Sequence, residues 1–207
     1  RQKVAVALSG DGGDELFGGY SRYAAACRRW ASIQRIPDLL REKMGEIAPH
    51  LPNGIWKALT PVLKNSLLKA ESNVTGYKLE KACQLLAESN RLSFYKKGFL
   101  NHWKPQEIVL GGNPADTEVY SWLQSKHLSF SEEMMAFDTL TYLPDDILVK
   151  VDRAAMAVSL ETRFPFLDHR VVEFSWGLPE RLKIRGNQGK WLLRQVLYPY
   201  VPQELVD

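Results

Sequence analysis

Residues 3–8, KVAVAL, form an apolar run rich in Val and Ala that breaks off at the glycine-rich SGDGGDE. A short run without polar alternation predicts a strand buried on both faces, as in a parallel sheet. No later segment offers it a convincing partner, residues 107–110 being too short, so its neighbours are expected upstream of Arg1. Beyond it the apolar positions recur at helical spacing. Residues 16–35 carry Leu16, Tyr20, Tyr23, Ala24, Cys27 and Trp30 in one predicted helix, stopped by Pro37. Further helices are predicted over 39–47, 55–68, 77–95, 118–128, 132–142 and 146–159. Residues 96–104 read as a loop leading to Pro105, and 111–114 as a breaker. Asp168 is placed to cap a helix over 169–176, closed by Gly177 and Pro179, and Lys190 opens a last helix over 190–198. The fold class is therefore mainly α: one buried strand plus many helices, the second half of an α/β domain. The chain starts at Arg1 without Met and stops at Asp207 in a polar turn, so we read it as a piece of a longer protein.

Composition narrows the class. The 207 residues are 45% hydrophobic and 25% charged, which excludes a disordered chain, a collagen and a small disulfide scaffold. Cys27 and Cys83 are too few for a cysteine framework and are not spaced as a metal knuckle, which fits a reducing, cytoplasmic setting. No run of about 18 apolar residues predicts a membrane span, and no signal peptide precedes the first strand. A net charge of +3 gives no argument for nucleic acid.

The candidate chemistry begins at the strand-to-helix junction, Leu8-Ser9-Gly10-Asp11-Gly12-Gly13-Asp14-Glu15. Glycines allow a tight turn and close ligand approach. The first N–H groups of the following helix favour an anion such as phosphate. Asp11, Asp14 and Glu15 would repel that anion unless a hard cation bridged them, and Mg²⁺ is the usual bridge between carboxylate and phosphate oxygens. The residues equally allow a plain turn in which Asp14 and Glu15 favour the helix start. A calcium loop is excluded, because the twelve-residue spacing to a closing Glu is missing. In residues 145–168 the charges Asp145, Asp146, Asp152, Arg153, Glu161, Arg163 and Asp168 interleave with apolar positions. They are expected to pair, Glu161 with Arg163 and Asp152 with Arg153, more as a packing network than as catalysts. Lys190, after GNQG, either reaches a phosphate or is a solvated lysine. The four histidines are scattered singly, and the six tryptophans read as core.

LSGDGGDELFGGY, then YLPDDILVKVDRAAMAVSLETRFPFLD, then GKWLLR, in that order, resemble the synthetase domain of glutamine-dependent asparagine synthetases, a group that includes β-lactam synthetase relatives. The resemblance covers nearly the whole chain. It implies that residues 1–207 are the C-terminal part of an adenine-nucleotide α-hydrolase-like (ATP pyrophosphatase) synthetase domain. Such enzymes use ATP and Mg²⁺ to adenylate a carboxylate, aspartate or an analogue, release AMP and pyrophosphate, and form an amide from ammonia supplied by a glutaminase domain. Carried over by motif, Leu8, Ser9 and Gly10 would line the nucleotide, Asp14 would bind the Mg²⁺–pyrophosphate, and Lys190 would contact the pyrophosphate. Asp11 would take the place of a glutamate of the bacterial synthetases, one methylene shorter, and act on the adenylate. Glu161, Arg163 and Asp168 match a packing motif. The resemblance puts the SGGxDS phosphate loop and the glutaminase cysteine upstream and a catalytic lysine just past Asp207, so the isolated chain is expected to be inactive. It leaves a homodimer open. Two rival readings are a helical partner-binding module without chemistry and, from Gly-Gly-Asp-Glu, a nucleotide cyclase that carries the motif on a β-hairpin.

Overall fold

The computed structural model describes residues 4–47, 50, 55, 85–100 and 118–206. In chain order the described elements are β1 (Val6–Leu8), α1 (Gly13–Phe17), α2 (Ser21–Ile33), α3 (Asp38–Ile47) and α4 (Arg91–Tyr95), which runs into a π-helical turn at Lys96–Leu100. They continue with α5 (Glu118–Gln124), α6 (Phe130–Leu140), a π-helical stretch at Leu143–Leu148 leading into α7 (Val149–Met156), and β2 (Glu161–Arg163). A 3₁₀ turn at Pro165–Leu167, α8 (His169–Gly177), α9 (Glu180–Lys183), α10 (Trp191–Leu197) and a 3₁₀ turn at Gln203–Leu205 complete them. The described residues are thus mainly helical, as the sequence predicts. They fall into two compact units, one formed by Arg1–Ala25 with Ala115–Asp207, the other by Ala26–Pro114.

In the first unit β1 lies parallel to β2, with Val6 opposite Glu161 and Leu8 opposite Arg163. Backbone bonds from Glu161 N to Ala5 O (3.0 Å) and from Ser9 N to Arg163 O (2.9 Å) continue the ladder. Two expectations change here. The strand has a partner within the chain, unforeseen because Glu-Thr-Arg has no apolar run to announce a strand. And β1 is not buried: among the described residues only β2 pairs with it, leaving Leu8 75% exposed. The core of this unit is Leu16, Phe17, Leu123, Met134, Met135, Phe137 and Leu143. Burying each such large apolar side chain contributes about 1.5–3 kcal/mol. Helix α6 starts in a capping box, Ser129 Oγ accepting from Glu132 N and Glu132 Oε2 from Ser129 N, so its first turn is satisfied before it packs on α1. Asp168 caps α8 as predicted, its carboxylate accepting from Arg170 N at 2.9 Å. The guanidinium of Arg170 also grips Asp168 and holds its carboxyl well below the usual carboxylate range.

The charged series 145–168 does not face a core. None of the residues of α7 is buried, and the Glu161–Arg163 pair (2.8 Å) is mostly solvated. Such a surface pair contributes about 0–1 kcal/mol. The described tryptophans also sit farther out than expected, Trp122 being half exposed.

In the second unit Phe94 packs between Trp30 (ring centroids 5.4 Å apart) and Phe99 (6.1 Å), and Tyr95 stacks on Phe99. Within its described part the expected helix over 77–95 is interrupted: the Asn90 side chain accepts from Leu92 N and Ser93 N and starts α4 afresh. The expected elements over 55–68 and 111–114 lie outside the described residues, apart from Ile55, as do Cys83 and most of 77–86.

Candidate functional site

The predicted helix over 16–35 is two helices. Gly18 takes a left-handed conformation (φ 66°), and the N–H of Gly19 donates to Asp14 O at 2.9 Å, closing α1 after five residues. The corner is made without side chains because there is no room for them. A Cβ on Gly18 would overlap Ile184, one on Gly19 would overlap Asp14 Oδ1 and Lys190 Cε, and one on Gly189 would overlap Gly18 O. Backbone therefore meets backbone, and Lys190 N donates to Phe17 O at 2.9 Å.

That bond fixes the start of α10 and sets the Lys190 side chain against α1. Its Nζ lies 2.9 Å from Asp14 Oδ1, with both side chains about one-third exposed. Lys190 itself is left-handed (φ 55°), a conformation that costs a side-chain-bearing residue about 1–2 kcal/mol. Backbone strain of this kind tends to sit at functional sites.

Leu8, Ser9, Gly10 and Asp11 form the exit from β1. Ser9 Oγ donates to Asp11 Oδ2 at 2.6 Å, and Gly10 has open space where a Cβ would point. Gly12 and Gly13 have a different purpose from the ligand approach expected of them. A Cβ on Gly12 (φ 88°) would overlap Leu167, and one on Gly13 would crowd Phe166, so these glycines admit the Pro165–Leu167 turn. The three carboxylates also part company. Asp11 engages Ser9 and Asp14 engages Lys190, whereas Glu15 is buried and accepts from Tyr20 Oη at 2.6 Å. Burial pushes the Glu15 carboxyl up, against the lowering effect of that hydrogen bond, and both burial and Glu15 push the Tyr20 phenol up.

Sequence reasoning missed Tyr20, Arg22 and Asp138. The Arg22 guanidinium lies 3.9 Å over the Tyr20 ring and pairs with the fully buried Asp138 at 2.8 Å, which also accepts from Tyr23 Oη at 2.7 Å. The tyrosine that follows Gly18–Gly19 was the one available signal. A pocket of about 620 Å³ adjoins the corner, lined in part by Tyr20, Ser21, Arg185, Gln188 and Arg194. It falls in the usual size range for small-molecule sites.

Among the described residues no cluster of three or more His, Cys, Asp or Glu side chains is arranged to hold a metal ion. Mg²⁺ asks for less, since it commonly binds through one or two carboxylates while substrate phosphates and waters supply the rest. Asp14, whose carboxylate is partly open to solvent, fits that limited demand. The Gly-Gly-Asp-Glu run lies on a helix start and not on a β-hairpin, unlike the cyclase motif.

This geometry, a glycine corner pairing an acidic helix start with a lysine from far along the chain, can be set beside known proteins. Residues 1–207 match the family model described as asparagine synthase, and the chain belongs to that family. It is 31% identical over its full length to asparagine synthetase (glutamine-hydrolyzing) 1 of Bacillus subtilis, of which it covers 30%. It is 33% identical over its full length to a putative asparagine synthetase (glutamine-hydrolyzing) of Mycobacterium bovis, of which it covers 29%. It is also 25% identical, again over its full length, to amidase chyE of Penicillium rubens, of which it covers 31%. The chain thus spans about a third or less of these relatives. No solved structure gives a significant match. Among the described residues no helix is long and apolar enough to cross a membrane.

Proposed function

We propose that this chain supplies the pyrophosphate-facing part of a ligase that uses ATP to convert a carboxylate into an amide with ammonia from glutamine. The observation that carries this reading is the Asp14–Lys190 pair, held at a strained backbone corner and still open to solvent. A ligand with concentrated negative charge and an accompanying cation satisfies both partners at once. The names of the bacterial relatives supply the reaction class, and aspartate or an analogue is the carboxylate in this reading.

The roles follow from the chemistry of each group. Lys190 presents an ammonium to the departing pyrophosphate, a point charge where negative charge develops. Asp14 is the residue that would hold Mg²⁺, and when bound the cation neutralises charge on the phosphate oxygens. Leu8, Ser9 and Gly10 line the nucleotide along the exit of β1, where the bare Gly10 leaves room for close approach. Asp11, oriented by Ser9, accepts a proton from the attacking ammonia. Pyrophosphate leaves as the carboxylate is adenylated, and AMP leaves as ammonia displaces it to form the amide. A glutaminase domain and a phosphate-gripping loop elsewhere in the protein complete the machinery, so the isolated 207 residues release no pyrophosphate from ATP. The partly open Asp14–Lys190 pair favours this reading over a helical module without chemistry.

The test is ATP–pyrophosphate exchange by the full-length protein. Asp14→Asn and Lys190→Ala should each lower the exchange rate at least 100-fold while far-ultraviolet circular dichroism stays unchanged. Exchange at the wild-type rate in either variant overturns the assignment.

A further inference from the structure

The Glu15–Tyr20 bond spans the Gly18–Gly19 corner. Glu15 directly follows Asp14, and Tyr20 directly follows the glycine whose missing Cβ makes room for the Asp14 carboxylate and the Lys190 side chain. The hydroxyl of one and the carboxyl of the other, 2.6 Å apart, therefore tie together the two strands of chain that define the position of Asp14. Glu15 is 1% exposed and Leu16 and Phe17 beside it are buried, so the near side of this tie is anchored in the core. The far side is anchored as well. The Tyr20 ring lies under the Arg22 guanidinium (3.9 Å), which also lies 4.9 Å from the Tyr142 ring centroid and is held by the buried Asp138. A buried carboxyl is an expensive group to keep, and burial without a partner costs far more than burial with one. The carboxyl is thus better explained by what it holds.

We propose that Glu15 and Tyr20 are a positioning pair, whose hydrogen bond across the glycine corner sets Asp14 for the cation and Lys190 for the pyrophosphate. Both act through Asp14. The inference rests on the reading of Asp14 and Lys190 given above. In the absence of the bond, the peptide at Gly19 is held by its bond to Asp14 O but the Asp14 carboxylate loses its fixed orientation. Cation binding suffers before the carboxylate substrate does.

The experiment is a Mg²⁺ titration of ATP–pyrophosphate exchange in the full-length protein. Tyr20→Phe removes the donor, and Glu15→Asp withdraws the acceptor by one methylene while keeping its charge. Each should raise the half-saturating Mg²⁺ concentration at least fivefold, with KM for the carboxylate substrate changed less than twofold. Glu15→Gln retains an oxygen that accepts from Tyr20 and should show a clearly smaller rise than Glu15→Asp. A merely structural role would lower the amount of active protein and leave the Mg²⁺ midpoint where it was. An unchanged midpoint in either donor or acceptor variant that folds, or an equal rise in Glu15→Gln and Glu15→Asp, overturns the inference. Asp14→Asn run in parallel separates the two readings. If it too keeps the wild-type Mg²⁺ midpoint and rate, the assignment of Asp14 has failed; if it alone is impaired, only the positioning pair has.

Discussion

Lys190 Nζ lies 2.9 Å from Asp14 Oδ1, although the two residues stand near opposite ends of the chain. The contact is set by the backbone, through Lys190 N on Phe17 O and the close approach of Gly189 to Gly18. Stability and activity should therefore separate at this point, and four predictions follow from the surroundings of the pair.

Asn tolerates the left-handed region better than Lys. Lys190→Asn relieves part of a backbone cost of about 1–2 kcal/mol while losing only a partly exposed ion pair of about 0–1 kcal/mol. The melting temperature of the full-length protein should stay level or rise, while amide synthesis falls at least 100-fold. Scanning calorimetry and a product assay on the same preparation check both halves.

Gly19→Ala places a methyl where Asp14 Oδ1 and Lys190 Cε already lie. The flexible lysine and carboxylate give way before the backbone does, so the pair is pushed apart. Exchange activity should drop at least tenfold, with a loss of stability of about 1–2 kcal/mol, in the ordinary range for a point substitution. A variant as active as the wild type would show that the pair need not be closely held.

Glu15 gives a pH signature. Its carboxyl is pushed up by burial, and Asp14 and Asp138 add in the same direction, against the Tyr20 hydrogen bond. A group whose folded-state pKa is raised contributes stability that is full below its unfolded value and fades as pH rises through the folded one. The native protein should thus lose stability as pH rises from about 4.5, the ordinary glutamate value, toward neutrality. Glu15→Gln has no such proton to lose. The difference in melting temperature, variant minus wild type, should increase across that window and be smallest at the acidic end. A difference independent of pH would contradict the shift.

Asp138 is fully buried and holds both Arg22 and Tyr23. Asp138→Ala leaves a mostly buried guanidinium without its carboxylate, which costs about 3–5 kcal/mol. Urea denaturation of the full-length protein should show that loss. Arg22→Met together with Asp138→Ala, which removes both charges, should recover part of it.

What the sequence made legible were features written in local chemistry. Asp168 ahead of a helical stretch is a cap wherever it occurs, and it caps α8. KVAVAL announces a strand, and Lys190 marks the start of a last helix, found as Trp191–Leu197. What stayed hidden depends on partners distant in the chain. Glu-Thr-Arg becomes β2 only because β1 lies beside it. The break at Gly18–Gly19 was masked because Leu16, Tyr20 and Tyr23 keep helical spacing straight across it. Glu15 and Tyr20 are five apart, a spacing that does not bring side chains together on a regular helix, so their bond became visible only once the helix was seen to be broken. The glycines were legible as a corner, but not as to purpose: Gly12, Gly13 and Gly18 admit hydrophobic neighbours, Gly19 admits the charged pair, and Gly189 admits the backbone of Gly18.

At the junction of residues 18–19 with residue 189, backbone meets backbone directly, Gly189 lying against Gly18 O and Lys190 N donating to Phe17 O. The two charges are thus set by the path of the backbone, while Arg185, Asn187 and Gln188 line the adjoining pocket. A scaffold built in this way lets descendants acquire new preferences for what they bind while the costly geometry beneath is inherited intact.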